Sequence, residues 1–454
     1  MRTKNFKFLS IFLLVLLFLA SFSSCKNSGK EITTFKTLPE LKDVKLDIKN
    51  FSIPGHKVNF LDIIDNKLYF LSYKGSVMSG KILEDDVNVD EFDFDNSQLI
   101  FHGKIAGFLN SSFEDKFLTF RDNFLFYTEK GADSIHLIRF NILTNEKKII
   151  YDRPITPQQR DGFFQPFSVS YTSKPDYIYE RVKLNPTDNK VMVYYIPEDK
   201  IFYKDLPPLL GITTYETKNY FYYFVPQNKE MQVFKKPDLT ESKVINIGDV
   251  DISATSFSKD YNNDYLIFHN SYKSSFEYLD LNKAQVVMNC EITNPTLNEL
   301  LLPVKKSYIR GISNNNKFND ILIIPTSDWN ETSINFFKLS YDAGKNKFNQ
   351  ERRFINLSSY GYFDLESWFL NKSGIMFLLK NKNNENLYLC TYSFKNNKAE
   401  LYPLNIKLET NFTALNFSVT NDYIYFVERF LDFYNNEPDE QFEDILIYFK
   451  IPEY

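Results

Sequence analysis

Polar and apolar residues alternate at a period of two over much of this chain, and long stretches with a 3.6-residue period are lacking. That pattern predicts strands rather than helices. One unit recurs: a turn residue or pair, often Asn or Asp, followed by an apolar, aromatic-rich strand. It reads DNKLYF from Asp65, DNFLFY from Asp122, PDYIYE from Pro175 and KNYFYY from Lys218. It continues as NDYLIF from Asn263, NDILII from Asn319, SGIMFL from Ser373 and NDYIYF from Asn421. The starts lie 57, 53, 43, 45, 56, 54 and 48 residues apart, a mean of about 51. Asn and Asp tolerate turn conformations, and the aromatic and β-branched residues after them prefer strands.

A period of about 50 residues with several strands per unit is the signature of a propeller blade. Each unit has room for four strands. A first, inner strand is rich in small or polar residues, as in FSVSYTS, GITTYET, ISATSFS and FTALNFS. The recurring strand follows, apolar at nearly every position, as a strand buried on both faces must be. A third strand comes next (SIHLIRFNI, FEYLDL, INFFKLSY, NLYLCTYSF), and a fourth often closes the unit (KKIIYD, KVINIG, AQVVMN, AELYPL). ENLYLC from Glu385 and EDILIY from Glu443 fit the recurring pattern too, and their places make them third strands. The last unit ends with DILIYFKI and lacks its outer strand, while VKLDIKNFSI from Val44 precedes the first inner strand. The early segment is therefore expected to pair with the last unit and close the ring, which removes an exposed sheet edge. The expected fold is an all-β propeller of seven or eight four-stranded blades over residues 44–454. Tandem β-sandwich domains are the alternative. With 2 Trp and 14 Gly, the WD, quinoprotein and kelch fingerprints are absent.

The N-terminus carries a different pattern. Arg2, Lys4 and Lys7 precede an almost wholly apolar run from Phe8 to Phe22, then Ser23, Ser24 and Cys25. A charged start, an apolar run of about 15 residues and a small-residue exit form a secretory signal. A spanning helix wants roughly 20 apolar residues. The FSSC ending resembles the lipobox of bacterial lipoproteins in a relaxed form, with Phe22 at the usual aliphatic position. The resemblance implies cleavage between Ser24 and Cys25 and acylation of Cys25, with residues 1–24 a signal peptide and 25–43 a lipidated tether. The repeat organisation of residues 44–454 is similar to that of divergent lipid-anchored propellers of Bacteroidetes-like bacteria. Such proteins sit in the outer membrane. Residues 26–30 lack an acidic pair, which favours the periplasmic face over the cell surface.

Composition narrows the partners. The net charge of −5 is spread over interspersed Lys, Asp and Glu, so no nucleic-acid surface is evident. Aromatic residues make up 17% of the chain, which suits pleated, half-buried strands. After Cys25 only Cys290 and Cys390 remain. Both fall in apolar strands two units apart, and the expectation is two free thiols.

Little in the sequence points to catalysis. His56, His102, His136 and His269 are scattered, with no metal-ligand spacing, and no G-x-S-x-G elbow occurs. Glu91, Asp93 and Asp95 alternate with Phe92 and Phe94, which puts the acids on one strand face, read as solvated. Asp260, Asn262 and Asp264 imitate the start of a calcium loop, but Tyr265 stands where such a loop needs glycine. The acidic stretch from Glu437 to Asp444 reads as a solvated hairpin loop. The aromatic runs Tyr220–Phe224 and Tyr194–Tyr203 read as core. Trp329, in the polar loop PTSDWNETS, is the one candidate ligand-binding residue, and Trp368 stands second to it. No cofactor or metal is implied. The sequence thus reads as a membrane-anchored binding or scaffold module for a protein or glycan partner. The alternatives are a carbohydrate-active enzyme whose carboxylates come from several blades, and a sensor or subunit of an envelope complex.

Overall fold

The computed structural model describes residues 33–76, 82–84, 86–106, 118–155, 167–170, 174–181, 190–206, 212–225, 228–240, 242–247, 257–258, 264–270, 275–291, 307–312, 320–325, 331–342, 347–370, 373–409, 411–431 and 442–452. They form eight antiparallel sheets that follow one another along the chain, at residues 57–105, 118–154, 167–205, 214–246, 257–291, 307–356, 363–407 and 412–450. We number these blades 1 to 8. The first seven each run through four consecutive strands in spatial order, as in blade 1 with Lys57–Ile64, Lys67–Tyr73, Val87–Asp93 and Gln98–Ile105. First strands of neighbouring blades approach one another, as Phe363–Leu370 and Phe412–Val419 do, so they line the axis. Helical structure among the described residues is confined to short 3-10 turns such as Ile196–Glu198. The protein is an eight-bladed β-propeller.

Local chemistry explains the blade. Asp122 and Asn123 hold φ of 48° and 65° between two paired strands, as a two-residue type I′ hairpin loop requires. In the corresponding loop of blade 1, Asp65 alone holds a positive φ, 55°. The second strands are buried on both faces: Leu68 and Phe70 pack toward blade 8, while Tyr69 and Leu71 pack toward blade 2. This repeats between blades 2 and 3, 3 and 4, 4 and 5, 6 and 7, and 7 and 8. The hydrophobic core is thus a set of separate inter-blade layers, each needing both of its blades.

The recurring Asn and Asp also join blades. The Asn66 side-chain amide of blade 1 donates to Asp422 of blade 8 at 2.7 Å and accepts from Thr420 at 2.9 Å. Asp264 of blade 5 accepts from Thr217 and Asn219 of blade 4, both at 2.7 Å. At these two junctions a residue of one turn therefore also binds the neighbouring turn.

The ring closes as the sequence pattern suggests. Lys49–Ser52 pairs antiparallel with Ile445–Lys450 and supplies the outer strand of blade 8. Leu446 and Tyr448 of blade 8 then pack with Phe92 and Phe94 of blade 1. The preceding segment differs from a free tether. Thr33–Thr37 pairs in parallel with the outer strand of blade 6, and Glu40–Leu41 with that of blade 7. Sequence reading missed this strap because two to five residues of edge pairing leave no distinct periodic signal.

The two cysteines sit in non-adjacent blades, Cys290 on the outer strand of blade 5 and Cys390 on the third strand of blade 7. Cys390 is a free, buried thiol, and burial pushes its pKa up to about 12. A bridge needs Cα atoms within about 7 Å, which blades separated by a whole blade do not offer. Alkylating unfolded protein without reductant is expected to add one adduct at each of these cysteines. Their appearance only after reduction would mean the blade order is wrong.

Candidate functional site

Charged side chains buried between blades are the first place to look for chemistry, because burial shifts their proton affinity. In blade 1, Glu91 is 2% exposed and takes Lys67 at 2.7 Å and His102 at 2.9 Å. Burial alone would raise its pKa, but hydrogen bonds from Lys67, His102 and Tyr69 hold it below the usual range. The expected solvated acidic face is therefore wrong at Glu91. The strand is the third of its blade, not an outer one, so that face meets a neighbouring strand instead of water. Asp93 instead caps the next turn, accepting from the N–H groups of Asp95 and Asn96.

A larger ionic network spans blades 2, 3 and 4. Asp176 accepts from Arg121 of blade 2 and from Lys236 of blade 4. Lys236 also reaches Glu216 at 2.9 Å. Glu216 is fully buried, and burial raises its pKa against the opposing pull of Lys236. A third network holds the ring junction. Arg429 pairs with Asp444, and both are buried. Asp444 accepts from the Val58 N–H at 2.8 Å, while Glu443 accepts from Ser52 and the Gly55 N–H. The end of the Glu437–Asp444 stretch is thus a clasp between the two chain ends, where a solvated loop was expected. Residues 432–441 lie outside the described residues. These three networks bind blade to blade, and none presents a nucleophile beside a base.

The axial wall differs. The first strands of blades 1, 7 and 8 each break register, between Phe60 and Asp62, between Leu365 and Ser367, and between Leu415 and Ser418. Bulges re-aim side chains and cluster near functional sites. Next to them stand Asp62, Glu366 and Asn416, with Asn416 exposed in a left-handed conformation of φ 54°. Burial raises the pKa of Asp62 against the Ile63 N–H, and that of Glu366 against Lys380 and the Ala414 N–H. Blades 7, 8 and 1 are consecutive in the closed ring, so these polar groups occupy one side of the axis. The sequence signal was faint: an acid between apolar neighbours in an inner strand, as in LDI and LES.

A carboxyl whose pKa is raised in the folded state binds more protons there than when unfolded. Its penalty is absent below the unfolded value, grows as pH rises toward the folded value and is constant above it. Glu366→Gln keeps an acceptor for the Ala414 N–H and removes the charge. It should raise the melting temperature near neutral pH, and the gain should vanish as pH falls below 4.5, the ordinary value. A gain that is equal at both ends of a pH series of thermal melts would show that the carboxylate is not strained.

Of the sequence candidates, Trp329, Asp260 and Asn262 lie outside the described residues, as do Ser24 and Cys25. Trp368 is half-buried on the inner strand of blade 7 and packs on the layer between blades 6 and 7. Tyr220–Phe224 is core as expected, and Tyr194 is buried while Tyr203 is 56% exposed. Asp264 belongs to the blade 4–5 junction. Among the described residues no three His, Cys, Asp or Glu side chains are placed to hold a metal ion. A cavity of about 270 Å³ opens on blade 7 beside Ser373, Gly374, Tyr392 and Lys395. Gly374 lies so close to the Tyr392 carbonyl that a Cβ would fall 2.1 Å from it.

No protein-family model matches the chain, and no curated protein matches it. Solved structures do resemble it. Kluyveromyces lactis Hsv2 shares 8% identity over 77% of this chain and 98% of its own, with a TM-score of 0.39. Citrobacter koseri AztD shares 10% over 65% and 73%, with a TM-score of 0.37. A protein from Lactobacillus plantarum shares 11% over 74% and 95%, with a TM-score of 0.35. The likeness is one of fold alone.

Proposed function

We propose that this is a lipid-anchored lipoprotein of the outer membrane, held through Cys25 on the periplasmic face. In this reading the propeller is a binding or scaffold module for a protein or glycan partner. The observation that supports it most is the N-terminal strap. Residues 33–52 pair with the outer edges of blades 6, 7 and 8 in turn. A pull on an anchor at Cys25 would thus be borne by backbone hydrogen bonds of three blades, as suits a scaffold that works while tethered. Partner contact is assigned to the axial wall at Asp62, Glu366 and Asn416, where three strand bulges set polar groups on one side of the axis.

Cys25→Ser tests the anchor. The apolar run from Phe8 to Phe22 is short for a membrane span, so the acyl chains must hold the protein. Cells fed a radioactive fatty acid should label the wild type and leave the variant unlabelled. Equal labelling of both would sink the reading. A second reading, carbohydrate processing, draws on the two carboxyls of raised pKa that come from different blades, Asp62 and Glu366. Hydrolysis of an envelope glycan by wild type and its loss in Asp62→Asn would favour that reading over the scaffold.

A further inference from the structure

The strap from Thr33 onward is the part of the described rim nearest Cys25 along the chain. Seven residues, 26–32, lie between them. Eight links at about 3.6 Å each reach no further than about 29 Å. An anchor at Cys25 therefore holds the edges of blades 6 and 7 near the bilayer.

That stretch of rim is unusual in its side chains. Phe35, Leu38, Leu41 and Val44 are 37%, 61%, 50% and 54% exposed, four large apolar groups within ten residues. Tyr362, 53% exposed, lies in the same region, because the hydroxyl of nearby Tyr360 donates to the Pro39 carbonyl at 2.7 Å. Among the other described outer strands the exposed large apolar residues are fewer in each blade: Phe101 in blade 1, Ile149 in blade 2, Ile201 and Tyr203 in blade 3, Val244 in blade 4 and Val286 in blade 5. Scattered exposure is ordinary, whereas a contiguous apolar run marks a contact surface. Charge does not oppose a lipid contact there: Lys36, Lys42 and Lys45 balance Glu40, Asp43 and Asp47. Lysine stems can also lie along an apolar surface with their ammonium groups in the headgroup region.

We propose that the strap from Phe35 to Val44 rests on the bilayer surface, so that the propeller stands on its rim at blades 6 and 7 with both flat faces turned sideways. This rests on the reading of Cys25 as a lipid anchor. The anchor supplies the membrane affinity, and the strap fixes the orientation. The occupant is lipid because the anchoring chain joins the propeller at this rim and its short length keeps this rim within reach of the bilayer. In an eight-bladed ring, blades 2 and 3 lie opposite blades 6 and 7, so their edges point away from the membrane.

The test uses the full lipidated chain with Cys290→Ala, since Cys390 is buried and escapes labelling in the folded protein. Leu38→Cys, Leu41→Cys and Val44→Cys each carry an environment-sensitive fluorophore, with Ile149→Cys and Tyr203→Cys as rim controls. The variants are reconstituted into phosphatidylethanolamine–phosphatidylglycerol vesicles containing nitroxide-labelled acyl chains. Emission from the three strap positions should be quenched several-fold more than from the two controls. Protein that fails to float with the vesicles would overturn the anchor reading itself. Protein that floats but shows equal quenching at strap and control positions would overturn this inference alone. Strap labels already shielded without vesicles, in a chain that light scattering shows to be dimeric, would overturn it in favour of an interface between two copies.

Discussion

A chain that begins at residue 55 will aggregate or melt far lower than one that begins at residue 42, which will fold as a monomer. The shorter chain lacks Lys49–Ser52, the outer strand of blade 8. It leaves the backbone of Ile445–Lys450 unpaired and removes Phe51 from the layer where Leu446 and Tyr448 pack. It also takes Ser52 from the Glu443 clasp. Apolar burial contributes roughly 25 cal/mol per Å², so one strand's share is a large part of a typical stability of about 5–15 kcal/mol. An open edge further templates pairing with other chains. Beginning at residue 42 removes only the strap strands on blades 6 and 7, which are fifth strands beyond complete blades. The cost there should be a few degrees of melting temperature, visible because five residue pairs on blade 6 are lost. Light scattering and thermal melts of the two chains decide the matter. Equal melting and equal monomer content would mean that the N-terminal strand does not close the ring.

Replacing Lys236 by methionine should cost about 3–5 kcal/mol, the usual effect of breaking one side of a buried ion pair. Lys236 is the shared donor to Asp176 and Glu216, and its loss leaves two buried acids with Arg121 facing only the first. Methionine fills similar volume, so the effect reports charge more than packing. The sign with pH follows from the carboxyls. Without Lys236 the folded pKa of Glu216, already raised by burial, rises further, the folded state binds an extra proton, and stability is recovered as pH falls. The deficit should therefore be largest at about pH 8 and shrink toward about pH 5. Denaturant titrations of both proteins across that range measure it. A deficit independent of pH would show that the lost contacts are apolar. Adding Glu216→Gln to the variant should return part of the stability at high pH, since the worst-placed charge is then gone.

The repeat was legible because two physical demands fall on neighbouring residues. Asp65, Asp122 and Asn421 stand where the chain must turn sharply, and the strand after each is buried on both faces, so LYF, LFY and IYF carry no polar interruption. Ring closure was legible for a related reason: DILIYFKI ended one strand short, and NFS near the start had no blade of its own. The candidate site was far less visible. Bulges at Leu61, Glu366 and Asn416 are one- or two-residue slips within otherwise ordinary strands, and no composition marks them.

What the sequence determined by itself is what depends on local pattern: all-β structure, four strands per unit, the strand that is buried twice, and the pairing of the chain's two ends. Tertiary structure decided which polar residues are spent on cohesion. Glu91 and Asp444 looked like solvated acids from their alternation and acidic neighbourhood. They are buried because neighbouring strands of the same blade, 11 to 24 residues away along the chain, bring Lys67, His102 and Arg429 to them. The strap was decided in the same way. Thr33–Thr37 and Glu40–Leu41 have no strong strand pattern, and they are strands because blades 6 and 7 offer open edges beside the path the chain must take to reach blade 8. Period and turn chemistry act over a few residues and can be read along the chain. The partner of a charge or of an edge strand depends on what the closed ring places beside it.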